Sequence, residues 1–223
     1  MKISKILLPA FASLILFSSC KKSAVDNNAL QYQIQTVNRS ANINAPVAIS
    51  NIQWTSGFAY ANQIKLEGKQ NTSEVEFKSN TSQRIDLFSS VAAALGNITI
   101  PAGTYNEVEF KIELNANGNT PVFELHGLFT NASGVTTPVI FTVSSLLEIK
   151  AEQANVTITD NSSTSALTTL DLSVLTTGVI QSLLNNATLT NGTIILSSSS
   201  NAALFNIILN NFLLHHEVEV EQH

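Results

Sequence analysis

The chain has 223 residues, with 11 lysines and arginines against 16 aspartates and glutamates, and a formal net charge of −5 at pH 7. No basic tract marks a nucleic-acid surface, and a charged fraction of 12% is sparse for long solvated helices. Plentiful Asn, Ser and Thr beside a 44% hydrophobic fraction suit many short strands joined by polar turns.

The first element in chain order is a leader. Lys2 and Lys5 precede an apolar run from Ile6 to Phe17, followed by Ser18, Ser19 and Cys20, the single cysteine. The run is too short for a stable membrane span, the lysines hold its start on the cytoplasmic side, and two small serines fit a peptidase pocket just before the cysteine. The pattern predicts a bacterial lipoprotein signal peptide over residues 1–19, with cleavage before Cys20 and lipidation of that residue. Phe17 stands where an aliphatic side chain is commoner. Each buried acyl methylene contributes about 0.8 kcal/mol, so several chains on one residue anchor a protein without a spanning helix. Removal of the leader leaves about 200 residues, which suits one all-β domain. With Cys20 acylated no intramolecular disulfide can form, and stability must come from a packed core.

Residues 20–45 are polar, with Lys21-Lys22, Asp26-Asn27-Asn28 and Asn38-Arg39-Ser40, and read as the lipidated cysteine and a flexible tether. A single β-sandwich domain is expected over residues 46–223. Its first strand is predicted over Val47–Trp54, closed by a turn at Ser56-Gly57. Ile64 and Leu66 oppose Lys65, Glu67 and Lys69; past Asn71-Thr72-Ser73, Val75 and Phe77 oppose Glu74, Glu76 and Lys78. This is an antiparallel hairpin with one wet face. The small apolar segment Ser89–Leu95 reads as a helical turn crossing between sheets.

Val108, Phe110, Ile112 and Leu114 alternate with Glu107, Glu109, Lys111 and Glu113. Asn117-Gly118 then predicts a second hairpin, returning through Val122–Phe129 with Phe123, Leu125, Gly127 and Phe129 inward. A third turn at Asn131–Gly134 leads to strands over Val139–Val143, Leu146–Ile149 and Val156–Ile158. Runs at this spacing predict a mainly β, antiparallel β-sandwich. After Asp160 the apolar spacing changes to threes and fours, through Leu167, Leu170, Leu172, Leu175, Val179, Leu183 and Leu184, which predicts one or two short helices over Leu172–Leu184. Thr193–Leu196 reads as a strand and Ala202–Leu213 as a helix. Val218 and Val220 among glutamates read as a sheet-edge strand. Residues 165–223 thus form a small helix-and-strand C-terminal part of the domain.

Patterns that carry chemistry are few. No Gly-x-Ser-x-Gly elbow occurs, and His215-His216-Glu217 lacks the His-Glu-x-x-His spacing, so these histidines and His223 read as a solvated tail. His126 beside Glu124 reads as a surface residue. Asp160-Asn161 and Asp26-Asn27-Asn28 offer oxygen ligands, but without an Asp-x-Asp-x-Asp-Gly loop turn capping explains them equally well. No catalytic residue, metal or cofactor is expected. A platform for stacking a sugar ring would come from Trp54 or Tyr60, with Tyr32 a further candidate, although such aromatics more often fill a sandwich core.

The segment Arg84-Ile-Asp-Leu-Phe88, then Ile98-Thr-Ile-Pro-Ala-Gly-Thr-Tyr105 and Val108-Glu-Phe-Lys-Ile112, resembles a pattern in domain-of-unknown-function lipoproteins of Bacteroidota. Thr193–Ser197 and Asn201–Phe205 resemble their closing portion. The likeness spans roughly Ile49 to Leu213, with Pro101–Tyr105 its most specific part and Ile100 replacing the usual leucine. It implies a cell-envelope β-sandwich of prealbumin-like topology, with no catalytic residues to carry over. The turn itself has a structural explanation: Pro101 fixes φ, Gly103 allows a sharp bend, and Tyr105 covers the core edge with its hydroxyl toward water.

The sequence therefore points to a non-enzymatic outer-membrane lipoprotein, periplasmic or surface-facing, acting as a structural, adhesive or interaction module with an envelope-protein partner. The alternative is a glycan-binding accessory lipoprotein for polysaccharide capture. A hydrolase ranks third.

Overall fold

A computed structural model describes residues 27–37, 52–70, 73–116, 120–160, 163–214 and 216–222. The predicted signal peptide, Cys20, the start of the Val47–Trp54 strand, Asn71-Thr72, Asn117-Gly118, Asn161, His215 and His223 lie outside the described residues.

The elements are β1 (Asn27–Val37), β2 (Ile52–Gln70), β3 (Ser73–Asp86), β4 (Ala93–Pro101), β5 (Gly103–Leu114), β6 (Phe123–Thr130), β7 (Thr136–Val143), β8 (Leu147–Ile158), β9 (Thr164–Asp171), α1 (Gln181–Asn185), β10 (Leu189–Thr190), β11 (Thr193–Leu196), α2 (Ala202–Leu214) and β12 (His216–Gln222). The protein is mainly β, built from two sheets. The smaller has the order β12-β9-β1-β4; the larger has the order β10-β11-β7-β6-β2-β5-β8, with β3 on the other edge of β2. Pairing is antiparallel except for β1 with β9 and β11 with β7. Inward residues of both sheets form one core, in which the Tyr32 and Phe110 rings meet across the layers at 5.3 Å. At one margin Val220 N donates to Gln153 Oε1 at 2.9 Å, tying β12 to β8.

β1 corrects the tether expected over residues 20–45 in its described part, residues 27–37. Leu30, Tyr32 and Ile34 are buried while Ala29 and Gln31 are exposed, a two-residue alternation that fits a half-buried strand. The strand sits between β4 and β9, and its Tyr32 hydroxyl shares a 2.8 Å hydrogen bond with Thr168. Burial pushes the Tyr32 phenol well above its ordinary pKa, against the lowering pull of Thr168.

β2 also departs from expectation, because Ser56-Gly57 is no turn. The strand continues through it with a register shift between Trp54 and Ser56, and a Cβ on Gly57 would lie 2.7 Å from the Glu124 carbonyl oxygen. Glycine here permits close approach of two backbones. The β2–β3 hairpin forms as predicted, from Gln70↔Ser73 onward.

β5 and β6 do not pair as a hairpin. They lie one after the other along the same edge of β2, β5 opposite Ala61–Lys69 and β6 opposite Ile52–Ala59. β8 and β7 flank them in the same manner. The third turn is a hairpin as expected: Asn131 Oδ1 accepts from Ser133 N and Val135 N, and Gly134 takes φ 79°. Ser89–Ala92 crosses between the sheets without a helix, Ala93–Leu95 already belong to β4, and the bend before them is held by Asp86 Oδ1, which accepts from Phe88 N at 2.9 Å. Leu167 and Leu170 belong to β9, while the short helices expected over Leu172–Leu184 form as a three-residue 3₁₀ turn at Val174–Thr176 and the short α1. The other C-terminal elements form as predicted. α2 buries Leu204, Phe205, Ile208 and Phe212, with Phe212 edge-on to Phe123 at 4.7 Å. Among the described residues no helix is long and apolar enough to cross a membrane.

In the Pro101–Tyr105 turn, Gly103 has φ 155°, and Tyr105 is inside the core rather than at a wet edge. Its hydroxyl donates to the Pro101 carbonyl at 2.9 Å and its ring fills the space a side chain on Gly68 would need.

A central, core-lining β1 has a measurable consequence. Tyr32→Ala is expected to cost about 3–5 kcal/mol in urea unfolding, as for other large aromatic deletions. Tyr32→Phe should cost about 1 kcal/mol through the lost hydrogen bond. An unchanged midpoint in both would return this segment to a tether.

Candidate functional site

The outer face of the larger sheet carries most of its charge in register. Lys78, Lys65, Lys111 and Lys150 form one row across β3, β2, β5 and β8, and Glu76, Glu67, Glu109 and Glu152 form the next. Like charges directly opposite one another repel. Contacts between rows offset this: Lys111 bonds Glu67 and lies 3.0 Å from Glu109, Lys65 lies 3.4 Å from Glu113, Lys150 lies 3.3 Å from Glu148, and Lys78 lies 3.0 Å from Glu76. The Lys111 hydrogen bond holds the Glu67 carboxyl below its usual pKa despite partial desolvation. For Lys111, desolvation pulls the ammonium down, but the hydrogen bonds and charges of Glu67 and Glu109 prevail and raise it. This face is a self-neutralising ladder, as the alternating Glu and Lys residues implied.

Beyond the ladder the sheet opens. Between Ala61 and Gln63 the register of β2 shifts against both β3 and β5, so Asn62 is an extra residue on one side and faces Thr81 and Ser82 on the other. Ser82 takes φ 47°, in the left-handed region. At the same level β5 leaves β2 and β6 joins it, and the backbone of Tyr60 is held by both ends of that connection: Tyr60 N donates to Val122 O at 2.8 Å and Asn115 N donates to Tyr60 O at 3.0 Å. Such bulges re-aim side chains and interrupt pairing.

The result is a cleft of about 280 Å³ lined by Tyr60, Ala61, Asn62, Ser82, Asn115, Ala116 and Thr120. Tyr60 is half-buried. Its ring stands edge-on to Phe58 at 5.5 Å, and the Arg84 guanidinium lies 4.3 Å over Phe58. Asn62 Nδ2 donates to Glu113 Oε1 at 3.3 Å, which orients that carboxamide. A second cleft of about 280 Å³, near β12, is lined in part by apolar Val37, Val174 and Leu214. There Asp171 Oδ1 already accepts from both the amide and the hydroxyl of Ser173.

Of the predicted platform residues, the structure retains only Tyr60 at the surface. Trp54 is 3% exposed and its ring packs where a Gly127 side chain would stand, so it is a core residue. Tyr32 is also in the core. His126 sits 2.7 Å from Glu124 on the outer face, as expected. His216 is no solvated tail residue: it is half-buried in β12, edge-on to Phe212 at 5.1 Å. Asn28 is buried in β1. Among the described residues no three His, Cys, Asp or Glu side chains converge as a metal site. Asn62, Ser82, Asn115 and Thr120 belong to no motif; the only sequence signal for them was the lapse of alternation across Ala61-Asn62-Gln63.

The ladder sets a pH dependence. Because the folded-state pKa of Glu67 is depressed, its contribution is present above the ordinary glutamate range and disappears as pH falls through the folded value. Glu67→Gln should lower stability by at most about 1 kcal/mol at pH 7, with the difference from the parent chain narrowing as pH falls below the ordinary glutamate range of about 4.3. Urea midpoints of both chains on either side of that range provide the check, and a gap that does not narrow with falling pH would contradict the assignment. No family model, curated protein or solved structure matches the chain.

Proposed function

We propose that this chain is a lipid-anchored protein of the bacterial outer membrane whose β-sandwich acts as a non-enzymatic module for contact with envelope partners. The observation that carries the reading is the leader ending at Cys20, with the first core strand following almost at once. Only residues 21–26 separate Cys20 from β1, a span of at most about 25 Å at full extension. A folded body this close to an acylated residue is held against the bilayer. The resemblance of Arg84–Ile112 to Bacteroidota envelope lipoproteins supports the same address. A second reading, capture of a glycan, is favoured by one specific observation, the polar cleft beside Tyr60.

Growth with an alkyne-tagged palmitate analogue and fractionation of the envelope tests the anchor. The parent chain is expected to take up label and sediment with outer membranes, and Cys20→Ala to lose both. Unlabelled parent protein in the soluble fraction would overturn the anchor.

A further inference from the structure

We propose that the Tyr60 cleft binds a single neutral, polyhydroxylated sugar ring. The proposal deepens the glycan reading and stands whether or not Cys20 is lipidated. Its first support is the chemistry of the lining: among the described residues it offers one aromatic ring, two carboxamides and two aliphatic hydroxyls, and none of the lining side chains is charged. The Glu113 carboxylate behind Asn62 is already paired with Lys65, so a charged ligand entering there would lose hydration without an unpaired counter-charge. A purely apolar ligand would leave amide and hydroxyl groups without partners.

The second support is that these groups are uncommitted. Among the described residues no hydrogen bond engages the Tyr60 hydroxyl, the Ser82 hydroxyl, the Asn115 carboxamide or the Thr120 hydroxyl, while Asn62, oriented by Glu113, keeps its carbonyl oxygen available as an acceptor. A lining that combines donors, acceptors and one aromatic ring matches a sugar, whose hydroxyls ring its edge and whose axial C–H groups form an apolar face for an aromatic side chain.

The third support is construction. The cleft exists because three irregularities coincide: the extra Asn62 in β2, the left-handed Ser82 in β3 and the departure of β5 at Asn115. A left-handed non-glycine residue carries a conformational cost, and such residues cluster at ligand sites. The volume lies just below the usual range of ligand clefts, about 300 to 1,000 Å³, so one ring fits and a bound chain would continue outside.

The test is saturation-transfer NMR on the mature chain with methyl glycosides of glucose, galactose, mannose and N-acetylglucosamine at millimolar concentration, together with amide spectra of the ¹⁵N-labelled protein. At least one glycoside should receive saturation and shift the side-chain amide signals of Asn62 and Asn115. Tyr60→Ala and Asn115→Ala should each weaken binding about tenfold, a loss of one hydrogen bond or stacking contact, with Tyr60→Phe within about threefold of the parent. Unchanged urea midpoints will certify that the variants are folded. No saturation of any glycoside, binding that survives both alanine variants, or saturation of acetyl-diglycine amide alone would each overturn the proposal. Failure here leaves the palmitate result intact, so the anchor and the sugar site are separately decided.

Discussion

β2 runs for nineteen residues with its edges hydrogen-bonded to three strands, β3 on one side and β5 then β6 on the other, so a slip in its register would displace all three together. Its two bulges are what reconcile these partners. Trp54 points inward, as do Ala59 and Ala61 and then Ile64 and Leu66; the parity of the inward positions changes at each bulge. Without the extra residues one stretch of the strand would present its polar face to the core. The same devices that keep the core continuous open the sheet at Tyr60. Cleft and fold therefore share a cause.

The charged outer face shows a similar economy. Rows of like charge follow directly from regular alternation in four adjacent strands, because the same parity that buries Ile64, Leu66, Phe110 and Ile112 exposes their neighbours. Repulsion within a row is relieved by the adjoining row of opposite sign. Exposed pairs of this kind contribute little to stability individually. Their larger effect is on register, since a one-residue slip would place these side chains in the core.

Much of this was legible in the sequence wherever alternation was uninterrupted. The β2–β3 hairpin, β5, the inward face of β6 and the terminal edge strand followed from it directly. β1 was legible too: Leu30, Tyr32 and Ile34 alternate with glutamines, a signal overshadowed by the polar segments around it. Pairing was harder to read than strandedness. Polar loop residues between Leu114 and Phe123 say that the chain leaves one strand and enters another, yet not whether the second folds back on the first or continues along a shared neighbour. A bulge at Thr55 separates inward Trp54 from inward Ala59 and Ala61, so no single alternation runs through this part of β2 to assign the tryptophan to the core. The lining of the cleft was invisible for a related reason, since Asn115 and Ser82 are 33 residues apart and meet only through the pairing of β2 with both β3 and β5.

The place of β1 has a mechanical consequence for the anchor proposed at Cys20. β1 enters at the end of the sandwich where Asn27 pairs with Pro101, the same end at which the β2–β3 hairpin turns. Tyr60 lies nine residues up β2 from Lys69, about 30 Å at the usual rise of a strand. Under that proposal, a short leash at one end and a cleft nine residues along β2 would make the sandwich a post on the bilayer, with its opening held above the headgroups. An upright post has already given up much of the tumbling freedom that a tethered domain would lose on capture, so its partners would meet it at a fixed height and with a smaller orientational penalty.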